Sequence, residues 1–160
     1  MSGDLGSTGR YAIAFVLPLA AVGAALLTQY GGLDMQPCPW CVLQRVEFVA
    51  IALLALLGLL LRQPAVRRVL AGLILLLSVC GVASALWQHF VAAASKSCNL
   101  TLADRIVRGL GLDELWSYGF AAYASCAEAA ARLLGISYEF YSLAVFVVLG
   151  ALAASLLRRR

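Results

Sequence analysis

The chain has 160 residues, 63% hydrophobic and 12% charged, with a formal charge of +4 and a mean hydropathy of +0.92. A soluble domain is usually about half apolar and a quarter charged, so this composition excludes one and points to a membrane protein. The positive balance is explained below by membrane topology, and no nucleic-acid partner is expected.

A hydrocarbon core takes roughly 17–25 apolar residues to cross as a helix. Four stretches are that long: 11–28, 42–61, 69–90 and 140–157. Backbone groups in lipid must pair within their own segment, so each is expected to be helical and no strand is expected. The fold class is therefore an all-α membrane protein, one domain over residues 1–160, built as a four-transmembrane-helix bundle. The first stretch follows Arg10 and is read as a retained span, not a cleaved secretory signal. It is long for a signal core and lacks a small-x-small exit before Gln29-Tyr30.

The first outer loop, about 29–41, is punctuated by Gly31, Gly32 and Pro37 and runs into Cys38. After the second span, residues 62–68 form a minimal hairpin carrying Arg62, Arg67 and Arg68. The second outer loop, about 91–139, is too long for a plain connector, and such length usually serves function. Within it Leu102, Ile106 and Leu110 repeat at helical spacing around Asp104, Arg105 and Arg108. A short amphipathic helix is expected there, lying apolar face down on the membrane or packed as a cap on the bundle. With four crossings, Arg10, the basic hairpin and residues 158–160 fall on one side, which the positive-inside rule makes the cytoplasm. Asp34, Asp104, Asp113, Glu114, Glu128 and Glu139 fall on the other. Sign and parity agree.

Five cysteines are present. Cys80 lies mid-way along the third span and is read as a small buried hydrophobe without a role. Cys38 and Cys41 sit in Pro37-Cys38-Pro39-Trp40-Cys41, and Cys98 and Cys126 lie in the second outer loop. Cys98 with Cys126 could be an inert staple of that loop in an oxidising compartment. Cys38–Cys41 closes too small a ring to restrict much chain entropy, so it makes a poor staple and reads as a redox pair. Zinc would want further ligands, and His89 is the single histidine, so no metal is expected.

Cys41 opens the second span, where unpaired N–H groups and the helix dipole favour an anion. Arg45 stands four residues on, on the same face one turn deeper. Both favour a thiolate at Cys41, while Cys38 is expected nearer its free value. A cation just inside the bilayer is costly and marks a site by default; snorkelling to the interface is the bland alternative. No dinucleotide fingerprint or haem motif is present, so a lipid-soluble quinone remains as electron acceptor, with Arg45 at its reduced oxygen. His89, at comparable depth, is a further candidate for that site.

These residues match a family. Cys38-Pro39-Trp40-Cys41 opening the second helix, Arg45 after it, four spans, and Cys98 with Cys126 in a long second outer loop resemble disulfide bond formation protein B. The resemblance covers nearly the whole chain. It implies an inner-membrane, quinone-dependent disulfide oxidoreductase with both termini cytoplasmic and its redox loops periplasmic. It implies the pairs Cys38/Cys41 and Cys98/Cys126, and Arg45 on the side of a ubiquinone or menaquinone. It also implies a DsbA-like thioredoxin-fold partner, the respiratory chain beyond the quinone pool, and a monomer. This sequence has Pro39-Trp40 between the first pair, and an alanine-rich stretch without an aromatic follows Cys126. A vitamin K epoxide reductase-like enzyme would place its Cys-x-x-Cys after the loop pair, the reverse of the order here. A non-enzymatic four-span scaffold would have no use for Arg45 beneath Cys41.

Overall fold

The computed structural model describes residues 2–94, 101–129 and 132–158. Its elements are α1 (Ser2–Tyr30), α2 (Pro39–Leu60), α3 (Pro64–Trp87), a π turn (Gln88–Ala92), α4 (Leu102–Gly109), α5 (Leu112–Leu115), α6 (Ser117–Phe120), β1 (Arg132–Leu133), β2 (Ile136–Ser137) and α7 (Glu139–Arg158). Among the described residues, α1, α2, α3 with its π turn, and α7 are long and apolar enough to cross a membrane. They form a four-helix bundle. Two departures from the sequence reading are plain. The first helix continues back to Ser2, well outside the apolar stretch. A two-residue antiparallel hairpin, Arg132↔Ser137 and Leu133↔Ile136, forms where no strand was expected.

Helix ends follow local chemistry. Gly31 N–H bonds Leu27 O at 2.7 Å, and Gly32 takes φ +99°, a left-handed turn that glycine tolerates. α2 starts on Pro39 at its first position, where the missing N–H costs nothing, and Cys38 is its N-cap. α3 likewise starts on Pro64.

The bundle core is layered by Phe48 and Phe146, stacked at 4.1 Å, with Ile51, Ile74 and Leu149 fully buried around them. Gly81 of α3 lets the Phe146 ring approach; a Cβ there would collide with it, whereas a Cβ at Gly72 meets nothing within 4 Å. Gly81→Ala should therefore lower the thermal midpoint in detergent, overpacking costing about 1–3 kcal/mol. Gly72→Ala should hold or raise it, since alanine gains up to about 1 kcal/mol of helix propensity. Equal midpoints for the two variants would show that the close approach at Gly81 carries no energy.

At the end carrying the termini, Arg67 is buried, not left in water with the other basic residues. Its Nε donates to Gly58 O at 2.9 Å and its Nη1 to Ser7 Oγ at 3.3 Å, over the ring of Tyr11. At the opposite end, α4 and α6 cap the start of α2. Ala103 and Val107 of α4 and Phe120 of α6 pack with Trp40, Val42 and Leu43. The expected amphipathic helix is thus a cap, held by its small residues. Its predicted apolar stripe, Leu102, Ile106 and Leu110, is exposed. Leu102 and Ile106 roof an apolar groove walled by Leu43, Cys80 and Trp87. Cys80 is accordingly exposed on the outer face of α3, not buried in the bundle.

Candidate functional site

The site grows from the first turn of α2. Cys38, as N-cap, has extended backbone angles (φ −85°, ψ 167°), and its Sγ accepts the Cys41 N–H at 3.3 Å. That capping geometry folds the dithiol together, with the two sulfurs 2.9 Å apart. Cys38 is fully buried.

The second outer loop brings a third sulfur. Tyr123 N–H and Ala124 N–H donate to the carbonyl of Pro37, at 3.0 and 3.3 Å, clipping that loop to the residue before Cys38. Just beyond, Ser125 and Glu128 close a reciprocal turn. Ser125 N–H and Oγ donate to Glu128 Oε2 at 2.9 and 2.7 Å, and Glu128 N–H donates to Ser125 Oγ at 3.3 Å. Cys126 sits inside that turn and packs against Cys38 in the capping cluster. Contacts with the Cys126 and Cys41 thiols, together with burial, hold the Cys38 thiol well above its ordinary value. The contact with Cys38 outweighs burial at Cys126 and lowers its thiol. Sequence spacing missed this, because it placed Cys38 near its free value without a neighbour from the other loop. Cys98 lies outside the described residues.

Cys41 faces the other way. With Gln44, Arg45 and Phe48 of α2 it lines a narrow cleft completed by Ala21, Ala25 and Thr28 of α1, Gln88, and Tyr138, Glu139 and Ser142 near the start of α7. Arg45 does not snorkel. It is buried, and its Nη1 donates to Gln29 Oε1 at 2.9 Å and to Gly119 O of α6 at 3.0 Å, while Nη2 reaches Ala25 O at 3.4 Å. The guanidinium therefore ties α1, α2 and the capping loop together directly beside the cleft. Burial raises the Tyr138 phenol, which keeps its proton and pairs with Thr28 Oγ1 at 3.2 Å. The lining mixes apolar side chains (Ala21, Ala25, Phe48) with a guanidinium, a phenol, the Gln44 and Gln88 amides and the Glu139 carboxylate.

The sequence matches the family of disulfide bond formation protein DsbB over residues 8–156. The chain belongs to that family. The matched span of this DsbB-family chain contains Cys38, Cys41, Cys98 and Cys126. Similar proteins include disulfide bond formation protein B of Pseudomonas syringae pv. tomato, 32% identical over 147 residues, which are 91% of this chain and 86% of that one. Disulfide bond formation protein B 1 of Pseudomonas syringae pv. syringae is 34% identical over 149 residues, 91% and 86% of the two chains. Disulfide bond formation protein B of Cupriavidus metallidurans is 32% identical over 146 residues, 90% and 89%. No solved structure matches the chain.

His89 does not line the cleft of this DsbB-family chain. It stands in the π turn between Phe90 and Phe140, with Nδ1 2.5 Å from Glu139 Oε1, and Glu139 is the group that reaches the cleft. Glu47 turns away from Arg45, toward α3, with Ser84 Oγ 3.1 Å from its Oε2. Gln29, Gln44, Gln88 and Tyr138 were not singled out from sequence. The three glutamines carried a usable signal, since amides in otherwise apolar spans are expensive unless paired.

Proposed function

We propose that the protein oxidises a periplasmic DsbA-like thioredoxin-fold partner and passes the electrons through two cysteine pairs to a membrane quinone. The observation that carries this reading is the arrangement of three sulfurs. Cys126, from the loop, lies against Cys38, while Cys41 of the same pair turns to the cleft beside Arg45.

The relay is thiol–disulfide exchange. A partner thiolate attacks Cys98 of a Cys98–Cys126 disulfide, forms a mixed disulfide and releases Cys126 as thiolate. Cys126 attacks Cys38 of a Cys38–Cys41 disulfide and releases Cys41. The partner's second thiolate resolves its mixed disulfide and leaves oxidised, freeing Cys98. Cys98 then attacks Cys126, which restores Cys98–Cys126 and leaves Cys38 and Cys41 as a dithiol. Two electrons and two protons have moved inward. Cys126 already lies against Cys38, so its attack there needs little movement, and Cys41 in the first turn of α2 is the thiolate that leaves. Each exchange can be nearly isoergic, because about 30 mV is worth only about 1.4 kcal/mol for a two-electron couple.

A quinone, ubiquinone or menaquinone, held in the cleft beside Cys41 would supply a two-electron, two-proton acceptor for the dithiol, with the respiratory chain beyond it. Around it the chain's own groups do the positioning. Arg45 offers a fixed positive charge where negative charge grows on oxygen, and Ala21, Ala25 and Phe48 give the cleft apolar walls. The location that follows is the bacterial inner membrane, as a monomer with both termini cytoplasmic.

The test uses purified protein in detergent with added quinone and a reduced thioredoxin-fold protein of the DsbA type. Quinone should be reduced and the partner oxidised in equal amounts. A lack of quinone consumption with a folded protein and a competent partner would overturn the reading.

A further inference from the structure

Two buried amides between α2 and α3 have no part in the relay above. Gln44 and Gln88 are almost wholly buried. Gln44 Nε2 donates to Gln88 Oε1 at 2.7 Å, and Gln88 Nε2 donates to Cys41 Sγ at 3.2 Å. Interhelical glue would account for the first bond, since amide pairs across apolar helices are stabilising. It does not account for the direction of the chain of bonds. An amide has one acceptor end and one donor end. With its oxygen held by Gln44, Gln88 has only its NH2 left to turn toward the sulfur.

A fixed N–H donor is worth more to a thiolate than to a thiol, because bonds to an ionised acceptor are about twice as strong as neutral ones. The backbone also favours this placement. Gln88 opens the π turn, with Ala93 N–H bonding Gln88 O at 2.9 Å, and such widened turns recur at functional sites.

The geometry points to Gln88 as the hydrogen-bond donor that holds Cys41 as a thiolate, with Gln44 as the positioning residue that turns the Gln88 amide toward it. This rests on the reading that Cys41 works as a thiolate facing the quinone cleft. The other ionisable groups around Cys41 are Cys38, its neighbour at 2.9 Å, Arg45 on the same helix, Cys126 from the second loop, and Tyr138 and Glu139 near the start of α7. None of them is altered by the substitutions below.

The experiment needs neither quinone nor partner, so its failure is separate from failure of the relay. The full-length protein is fully reduced and pulsed with iodoacetamide across a pH series, and the adduct at Cys41 is read by peptide mass spectrometry. Gln88→Met keeps an unbranched chain of similar length and removes the donor. It should shift the Cys41 profile upward, so that labelling below the midpoint falls about tenfold, the scale of one charge-assisted hydrogen bond. Gln44→Leu should lower labelling by about threefold, because Gln88 still reaches the sulfur but is no longer held. In the Gln88→Met background, Gln44→Leu should change nothing further, since it acts only through Gln88. A Cys41 profile that stays at its wild-type position in Gln88→Met, with only the thermal midpoint lowered, means glue and overturns the proposal. So does an added shift from Gln44→Leu in the Gln88→Met background. If Gln88→Met does not assemble, Gln44→Leu alone decides, upholding the proposal by its shift or overturning it by none.

Discussion

Cys126→Ser should abolish oxidation of a thioredoxin-fold partner while leaving a small dithiol able to reduce quinone through Cys38 and Cys41. The two activities separate because the sulfur of Cys126 is the one that bridges the loop to Cys38, whereas Cys41 meets the cleft without it. A serine hydroxyl occupies nearly the same space and keeps the Ser125–Glu128 turn, so the bundle should assemble normally. Cys98→Ser should behave the same way. The measurement pairs partner oxidation, followed by thiol labelling, with quinone absorbance. If both activities survive in full, the loop pair is only a staple and the relay is wrong.

Arg45→Ala should cost both turnover and stability, for two separable reasons. Removing a preorganised donor from a site of growing negative charge typically lowers kcat by about 10²–10³-fold, and apparent quinone affinity should weaken alongside it. Removing the guanidinium also strips Gln29 Oε1 and Gly119 O of a shared donor in a buried setting, a loss of about 1–3 kcal/mol. Arg45→Lys should be intermediate in turnover, since lysine keeps a charge but lacks the fork whose Nη1 serves Gln29 and Gly119 while Nη2 reaches Ala25. Quinone kinetics at wild-type level in a folded Arg45→Ala protein would remove Arg45 from the site and leave it a clasp.

What could be read from sequence, and what could not, divides along physical lines. The four spans were legible because hydropathy is a local quantity and lipid forces helix. The extension of α1 back to Ser2 was not, since residues 2–10 are polar and glycine-bearing and carry no apolar run that would signal a helix. Cys41 and Arg45 were placed on one face by helical spacing alone, and both line one cleft. Arg67 was assigned to the aqueous side by a rule that counts charges near span ends; its burial depends on the Gly58 carbonyl, which the end of α2 leaves without a helical partner. The stripe on α4 was visible, but its partner was not, because the helix packs through Ala103 and Val107, residues too unremarkable to signal a face. The approach of Cys126 to Cys38 could not be read at all. It is set by two backbone bonds to one carbonyl, and backbone contacts between loops leave no residue pattern.

That shared carbonyl is also a latch. Its two hydrogen bonds, each worth about 1 kcal/mol, add to the packing of Phe120 and Cys126 and to the Arg45–Gly119 bond in holding the loop against the start of α2. Pro37 is well chosen for this, because a residue with no N–H of its own presents its carbonyl without offering the loop anything further to hold.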